Sequence, residues 1–338
     1  MVGPLASQGL TGATELTIFK NILCVVDTRE ECTNAIERAV TLAENNQANL
    51  TVIDVVYRIT AGIGMPDGGP ISADLQSAVE TTHAQKLELL IDPYRQRIPI
   101  ATRVRNGTRF LEVIDQVLCN GHDLVIKVPE KLAWLDRLFG SDDMNLLRLC
   151  PCPVWLVKPQ TEKSYKHILA AVDVSDEYPP EELTSQRALN RQIVEMAASL
   201  ALSEFAELHL VHAWHVRSES AMRGAYMHTS EEEIVAYVEQ EKLKREAGLD
   251  ELLGEVTRQL GQEGTEYLCP KKHLVKGWAS KEIPAMAKQL KADVIIMGTV
   301  ARTGVPGFIM GNTAETILSQ IECSVLAVKP PGFETPVR

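Results

Sequence analysis

The residues best suited to chemistry lie in a glycine-rich loop, residues 298–313, between an apolar run and an amphipathic stretch. Residues 293–297 read Asp-Val-Ile-Ile-Met, which is typical of a strand buried on both faces, and residues 314–321 resume with helical spacing of apolar side chains. The loop therefore ends at a helix N-terminus, where free backbone amides and the helix dipole favour an anion. The pattern predicts a phosphate-binding loop.

Individual residues of this loop have distinct predicted roles. Gly298 and Gly311 would let the backbone approach a ligand closely, and Arg302 offers a cation. Asn312 and Thr313 fall at the helix start, where the Thr313 hydroxyl can cap the helix or donate to a phosphate oxygen. The spacing matches neither the P-loop nor the dinucleotide fingerprint, and glycines that serve only the turn stay an open alternative.

The chain contains the same pattern twice. Residues 19–27 recur at 165–173, residues 122–127 at 292–297, and residues 152–159 at 323–330, in the same order. We therefore predict two homologous domains at residues 18–159 and 165–331, after a weakly ordered tail at residues 1–17.

Strands and helices alternate within each copy, which predicts a parallel α/β sheet with right-handed crossovers. Ligands of such sheets bind beyond the carboxyl ends of the strands. Asp173 ends the first strand of copy two and Gly298 ends the fourth, so both should face one crevice. Capping boxes are predicted at Thr28 with Glu31 and at Ser230 with Glu233, the second opening a long helix that carries Leu243 on its apolar face.

Composition excludes several function classes. The net charge is −11, which disfavours a nucleic-acid backbone as a partner. No apolar stretch reaches the roughly 18 residues of a membrane span, and the start lacks the pattern of a secretion signal. We expect a cytoplasmic protein with reduced cysteines, among which Cys150 and Cys152 are interpreted as structural.

Three histidines invite a metal interpretation. Strand alternation separates His212 from His209 and His215, and those two lie far apart along the strand, so the three cannot share one ion. A combination of one of them with Cys269 or His273, which we expect in a loop, stays a minor alternative, and we predict no metal site.

Several motifs together resemble the universal stress protein family. They are residues 170–175 (Ala-Ala-Val-Asp-Val-Ser), the strand and loop at 293–298, the Gly311-Asn312-Thr313 loop end and the terminal strand at 325–330. The doubled arrangement, with residues 122–127 and 146–155 in copy one, looks like the E-type tandem branch. The resemblance covers nearly all of residues 19–331.

The resemblance implies an adenine nucleotide alpha hydrolase-like fold: two tandem, doubly wound, parallel five-stranded sheets of strand order 3-2-1-4-5. It implies domain pairing through the terminal strands, and a homodimer and unidentified protein partners as further options. It also implies that the second domain binds ATP or a related adenine nucleotide, with Mg²⁺ as an option. The implied ligand residues are Ala171, Val172, Asp173, Ala213, Met297, Gly298, Ala301, Arg302, Gly304, Gly311, Asn312 and Thr313.

The family's nucleotide loop has a glycine at the position of Ala301 and a hydroxyl residue at that of Asn312, and Thr313 is the nearest substitute. Asp173 would contact the adenine or ribose side, and Ala213 would lie against the base.

Copy one departs further from that loop. It keeps Gly140 but places Asp142 and Asp143 at the helix start, where they can cap the helix and would repel a phosphate. We infer that domain 1 has lost triphosphate binding. Its apolar loop residues are interpreted as core or interface cover rather than a ligand pocket: Trp134, Leu135, Leu138 and Phe139.

Three functional hypotheses follow. The first is a tandem stress protein that binds a nucleotide in its second domain and supports stress tolerance. The second is a nucleotide-free interaction module of the same fold. The third is a slow ATPase, although no dedicated catalytic machinery is visible in the sequence.

Overall fold

The computed structural model describes residues 19–59, 70–130, 141–159, 164–224, 230–299 and 310–337, with side chains at all of these except residues 70–72, 141 and 259–266. The expected tail at residues 1–17 lies outside the described residues. So do Ala301, Arg302 and Gly304 of the glycine loop and the apolar loop of copy one that begins at Trp134.

The first domain alternates strands and helices along the chain. Its elements are β1 (Asn21–Val26), α1 (Thr33–Asn46), β2 (Asn49–Val56), α2 (Pro70–Ile91), β3 (Ile100–Asn106), α3 (Arg109–Asn120), β4 (Leu124–Lys127), α4 (Ser141–Leu149) and β5 (Val154–Leu156).

The second domain repeats this order with one added short helix. Its elements are β6 (His167–Ala171), α5 (Pro180–Glu204), β7 (Glu207–Trp214), α6 (Glu219–Met222), α7 (Glu231–Leu268), β8 (Lys271–Lys276), α8 (Ala279–Gln289), β9 (Val294–Gly298), α9 (Asn312–Leu318) and β10 (Ser324–Val328).

The strands form one continuous sheet in the order β3-β2-β1-β4-β5-β10-β9-β6-β7-β8. Strands within each half are parallel, and β5 pairs with β10 in antiparallel fashion where the halves meet. The predicted α/β class and the 3-2-1-4-5 order of each half are therefore confirmed.

Both faces of the sheet carry a hydrophobic cluster that draws on both halves. In β1, Ile22 and Cys24 belong to one cluster while Leu23 and Val25 belong to the other. This is the period of two expected of a strand covered on both sides, and it explains the continuous apolar runs in the sequence.

A buried arginine joins the two halves beside the sheet. The Arg38 guanidinium donates a hydrogen bond of 2.7 Å to Glu204 and lies 3.4 Å from the ring centroid of Tyr165. Glu204 also accepts a bond of 3.0 Å from the Tyr165 backbone N–H. The Arg38 side chain is only 8% exposed, and groups of the other domain supply its ion pair and its ring contact.

Equivalent residues of the two copies do the same structural work. Asp123 accepts backbone N–H bonds from Lys20 and Asn21, and Asp293 accepts them from Lys166 and His167. Each carboxylate ties the start of its domain's first strand to the start of the fourth strand.

One predicted helix start is wrong. Helix α1 begins at Thr33 rather than after Thr28, and no side chain caps it. The Thr28 hydroxyl instead donates a bond of 2.8 Å to Asp54 and contacts His83 at 3.0 Å. Hydrogen bonds to residues distant in sequence therefore take the place of the predicted capping box of Thr28 and Glu31.

The capping box of Ser230 and Glu233 is confirmed, because the two residues exchange backbone-to-side-chain bonds of 2.9 and 3.2 Å at the start of α7. Leu243 is 56% exposed, so its predicted burial is wrong. Glu241 and Arg245 are buried there instead and form an ion pair of 3.3 Å. None of the helices in the described ranges is both long and apolar enough to span a bilayer.

Candidate functional site

The carboxyl ends of β6 and β9 form the crevice in which a ligand is expected. The two strands are parallel neighbours, with Ala171 opposite Met297. The chain leaves β6 toward β7 on one side, while β9 continues to β10 on the other, so this is the topological switch point of the sheet. Asp173 follows β6 and Gly298 ends β9, as the sequence predicted.

Asp173 is held in a defined position with its carboxylate partly open. The Asp173 backbone N–H donates a bond of 3.1 Å to the side-chain oxygen of Asn190 in α5, and the side-chain NH₂ of Asn190 donates a bond of 2.6 Å to the Asp173 carbonyl. The carboxylate accepts bonds from the Ser175 N–H at 3.0 Å and the Tyr178 hydroxyl at 2.6 Å. Its side chain is still 42% exposed, so it can accept further hydrogen bonds from a ligand.

Burial raises the pKa of Tyr178, and the Asp173 charge raises it further. The phenol therefore stays protonated and remains a donor to Asp173 at neutral pH.

His212 of β7 lies beneath this carboxylate and was not predicted as a site residue. Its Nδ1 is 3.2 Å from the Val172 carbonyl, to which it donates, and 3.8 Å from Asp173. Burial lowers the pKa of His212, so the ring is neutral at pH 7. The buried Nε2 then carries a lone pair and makes no hydrogen bond to any described residue. Ala213 follows it and is half-buried.

Gly298 is explained in part by packing. A Cβ built on it would lie 2.8 Å from Cδ2 of Leu189 in α5. The absence of a side chain at Gly298 therefore lets α5 pack closely over the end of β9.

The loop that follows β9 is anchored on the first domain. Thr299 is fully buried, and its hydroxyl donates a bond of 3.2 Å to the Leu147 carbonyl of α4. The Lys329 ammonium donates to the same carbonyl and to the Thr299 hydroxyl at 2.6 Å. Burial lowers the pKa of Lys329 to about 7.

The far end of the loop returns to the start of α9. The Gly311 N–H donates a bond of 3.2 Å to the Thr299 carbonyl, and Gly311 is the N-cap residue with φ −62° and ψ 136°. Asn312 and Thr313 are exposed in the first turn, and no side chain caps the helix. Glu315 in the same turn pairs with Arg148 of the first domain at 2.8 Å.

The comparisons with known proteins agree with this architecture. The sequence profile described as "Universal stress protein family" matches residues 18–158 and again residues 164–329. The chain belongs to the universal stress protein family. It is 28% identical to Universal stress protein E of Escherichia coli K12 and 30% identical to that of Salmonella typhi, over 95% of this chain and 98% of each relative. The resemblance to the E-type tandem branch is thereby confirmed.

Solved structures match over almost the whole chain. The Pseudomonas aeruginosa protein PA1789, described as functionally unknown, has a TM-score of 0.63 at 25% identity and covers 93% of this chain and 94% of its own. A universal stress protein from Archaeoglobus fulgidus has a TM-score of 0.56 at 17% identity, covers 91% of this chain and 98% of its own, and so agrees in fold.

The first domain of this universal stress protein fills the equivalent crevice with its own charges. Asp27 pairs with Arg29 at 2.7 Å and with Arg109 of α3 at 2.8 Å, and Arg109 also reaches Glu130 at 3.3 Å. Burial would raise the pKa of Asp27, but the hydrogen bonds from Arg29 and the charge of Arg109 hold it well below its usual range. The cavity that remains beside these groups is about 20 Å³, which holds about one water molecule.

A second buried pair lies between the end of β4 and the start of α4 in the first domain. Lys127 at the end of β4 forms an ion pair with Asp143, whose other oxygen accepts a bond of 2.8 Å from the Glu130 N–H. Asp142 accepts a bond of 3.2 Å from the Tyr57 hydroxyl. Asp142 and Asp143, the acidic residues predicted at the start of this helix, therefore both bond to other groups of the first domain.

The second domain has an alanine where the first has Arg109. Gly107 and Gly277 both have φ +154° and each precedes an extended N-cap residue. Their N–H groups bond to the last residues of β2 and β7, Val56 and Trp214. The next helix begins with Arg109 in the first domain and with Ala279 in the second. No arginine from α8 can therefore reach Asp173 as Arg109 reaches Asp27.

His273 and the cysteines are the remaining residues that the sequence singled out. The expectation that His273 lies in a loop is wrong, because it belongs to β8, where its neighbour Leu274 packs against the core. Cys150 and Cys152 are buried with their sulfurs 3.6 Å apart, and all seven cysteines are free thiols.

Proposed function

We propose that the second domain binds an adenine nucleotide, ATP or a close relative with Mg²⁺, in the crevice between β6 and β9. The protein would then act as a nucleotide-responsive stress protein in the cytoplasm. Family membership and the switch-point position of Asp173 and Gly298 support this proposal.

The Asp173 carboxylate suits a ribose. A ribose presents two vicinal hydroxyl donors, and the carboxylate has acceptor capacity left beyond its bonds to Ser175 and Tyr178. The two bonds fix its orientation before the ligand arrives, which lowers the ordering cost of binding.

His212 and Ala213 suit the adenine. Ala213 offers a short side chain at the end of β7, so a flat ring has room beside it. His212 is itself buried and its lowered pKa keeps the ring neutral, so it places no charge beneath the base.

The strongest support is that the second domain has Ala279 at the position where the first domain has Arg109. In the first domain the guanidinium occupies the space between Asp27 and Glu130. The second domain leaves the corresponding carboxylate, Asp173, without a cation from that helix. The ligand, rather than the protein, would complete the site.

The experiment places the first domain's arginine in the second domain. Ala279→Arg should pair with Asp173 and block the crevice, while Ala279→Met adds similar bulk without the charge. Protein freed of nucleotide by unfolding and refolding would be titrated with ATP and Mg²⁺ by thermal shift and calorimetry. We expect binding by the parent chain, weakening by at least about tenfold in Ala279→Arg and a smaller effect in Ala279→Met.

A parent chain that folds but binds no nucleotide would overturn the proposal in favour of a nucleotide-free interaction module. ATP hydrolysis is measured on the same samples. Turnover that Asp173→Asn abolishes would add a slow ATPase activity to the binding function.

A further inference from the structure

Two histidines and a glutamate converge at the opposite rim of the second domain's sheet. His167 begins β6, and Glu207 begins β7, two residues before His209. One possible ligand atom from each of the three residues lies within 4.8 Å of those of the other two. Since β7 continues to Trp214, the cluster is about 20 Å from the crevice, at roughly 3.3 Å per strand residue.

The strand register brings these side chains together. His167 is the direct ladder partner of Glu207, and residues two apart in a strand project from the same face. His167, Glu207 and His209 therefore share one face although forty residues separate the first from the second. Sequence reasoning grouped the histidines of β7 with each other and missed His167 and Glu207.

Two ring nitrogens in the cluster lack hydrogen bonds. The His209 side chain is only 4% exposed, and its buried Nε2 makes no hydrogen bond within the described residues. Nδ1 of His167 is likewise buried and without a bond to any described group. A buried polar atom without a hydrogen bond destabilises the fold, so a ligand bound to both nitrogens would recover free energy.

His273 holds the His209 ring in the orientation that a ligand requires. Nδ1 of His209 lies 3.0 Å from Nε2 of His273, and the two ring planes are inclined by only 22° with centroids 5.2 Å apart. When Nδ1 carries the proton and donates it to His273, Nε2 of His209 keeps its lone pair and points at Glu207. A hydrogen bond to the second nitrogen is the usual support of a metal-binding histidine.

We propose that His167, Glu207 and His209 bind a divalent cation of the Zn²⁺ class, with water in the fourth position. Ligand atoms 2.0–2.2 Å from a tetrahedral Zn²⁺ are about 3.3–3.6 Å apart. The Glu207 oxygen already lies 3.4 Å from Nε2 of His209 and 3.7 Å from Nδ1 of His167. The third edge needs only a small rotation of the partly exposed His167 ring.

Lys271 forms an ion pair with the Glu207 carboxylate that the ion would displace. Its ammonium donates a bond of 2.6 Å to the same Glu207 oxygen, and its side chain is 54% exposed. A lysine on an open surface can swing into water at little cost. The ion would thus replace one surface ion pair with three coordinate bonds.

The test uses protein without an affinity tag, in a Cys119→Ser, Cys269→Ser background that removes the two exposed thiols. Calorimetry with Zn²⁺ and Co²⁺ absorption spectra should give one bound ion per chain, with Co²⁺ d–d bands and no sulfur charge-transfer band. His167→Ala and Glu207→Gln alter partly exposed residues that the fold does not require, and each should weaken binding at least about tenfold. Lys271→Ala should tighten it.

His215→Ala is the matched control, because His215 follows β7 but contacts Trp278 rather than the cluster. It should leave the affinity unchanged. Failure of the parent chain to bind Zn²⁺, or equal affinity in the parent chain, His167→Ala and Glu207→Gln, would overturn the proposal. None of these measurements contains nucleotide, so this result and the result for the crevice are independent.

Discussion

The Arg109 guanidinium donates a hydrogen bond of 2.8 Å to the Asp27 carboxylate, inside the crevice that this fold uses for ligands. The second domain has Asp173 and Ala279 at these two positions. One repeat has thus completed its switch point with a protein cation, and the other has kept a carboxylate that is 42% exposed. Duplication explains the shared scaffold, and under the proposed function this exchange separates the roles of the two domains.

The two arginines on Asp27 should differ strongly in their contribution to stability. Arg109→Ala removes a cation that is 9% exposed from between Asp27 and Glu130 and leaves Asp27 with only the exposed Arg29, so we expect a loss of about 3 kcal/mol in the free energy of unfolding. Arg29→Ala removes a partner that is 58% exposed and should cost about 1 kcal/mol or less. Urea titrations of both variants at pH 7 make the comparison.

At acidic pH, the difference in stability loss between Arg109→Ala and Arg29→Ala should become smaller. The folded-state pKa of Asp27 lies below its unfolded value, so its contribution is present above about pH 4 and is lost as the pH falls further. The gap between the parent chain and Arg109→Ala should therefore narrow toward pH 3. Equal losses for both arginine variants at neutral pH would refute the account of a filled crevice.

Lys329 should make the stability of the protein rise with pH. Its folded-state pKa of about 7 lies below the value of about 10.4 in an unfolded chain. The unfolded state therefore binds more protons between these two values, so the free energy of unfolding rises from about pH 7 to pH 10 and carries a penalty below pH 7.

Lys329→Met removes this titration while Thr299 keeps its bond to the Leu147 carbonyl. We expect the variant to gain stability relative to the parent chain at pH 6 and to lose that advantage at pH 9, as measured by urea unfolding. A difference between the two proteins that stays constant over this range would contradict the lowered pKa.

Gly298→Ala should act on packing rather than only on ligand approach. The new methyl group would lie 2.8 Å from Leu189, and we expect a cost of about 1–2 kcal/mol. In a Leu189→Ala background the same substitution should cost much less, because the conflicting atoms are gone. A double-mutant cycle with no coupling between the two positions would show that the contact does not explain the glycine.

Arg38 should couple the unfolding of the two domains. Arg38→Ala leaves Glu204 without its interdomain cation, and we expect a loss of about 3 kcal/mol and a separation of one thermal transition into two. Arg95→Ala, which removes an exposed pair with Glu88 inside one domain, is the control and should keep a single transition. Calorimetric scans distinguish the two outcomes.

The sequence predicted the sheet because its signals were local and periodic. Apolar runs such as residues 293–297 predict buried strands. The order of these strands along the chain implied that Asp173 and Gly298 would lie at the same edge of the sheet. The fate of Thr28 was not predictable in this way, since its hydroxyl is taken by Asp54 and His83 from distant elements. His273 was misassigned because the polar run around it resembles a loop, whereas it forms the edge strand β8 with one covered face.

The cluster of His167 with Glu207 and the burial of Lys329 also escaped sequence reasoning. Both depend on which strands pair and in what register, and apolar periodicity alone does not specify register across forty residues or more.

Calorimetric stoichiometry of ATP with Mg²⁺ on nucleotide-free protein tests the central claim most directly. We predict one nucleotide per chain, bound at least about tenfold more weakly by Ala279→Arg and with unchanged affinity by Arg29→Ala. Two nucleotides per chain, or an affinity of Ala279→Arg equal to that of the parent chain, would contradict the division of roles between the filled and the open crevice.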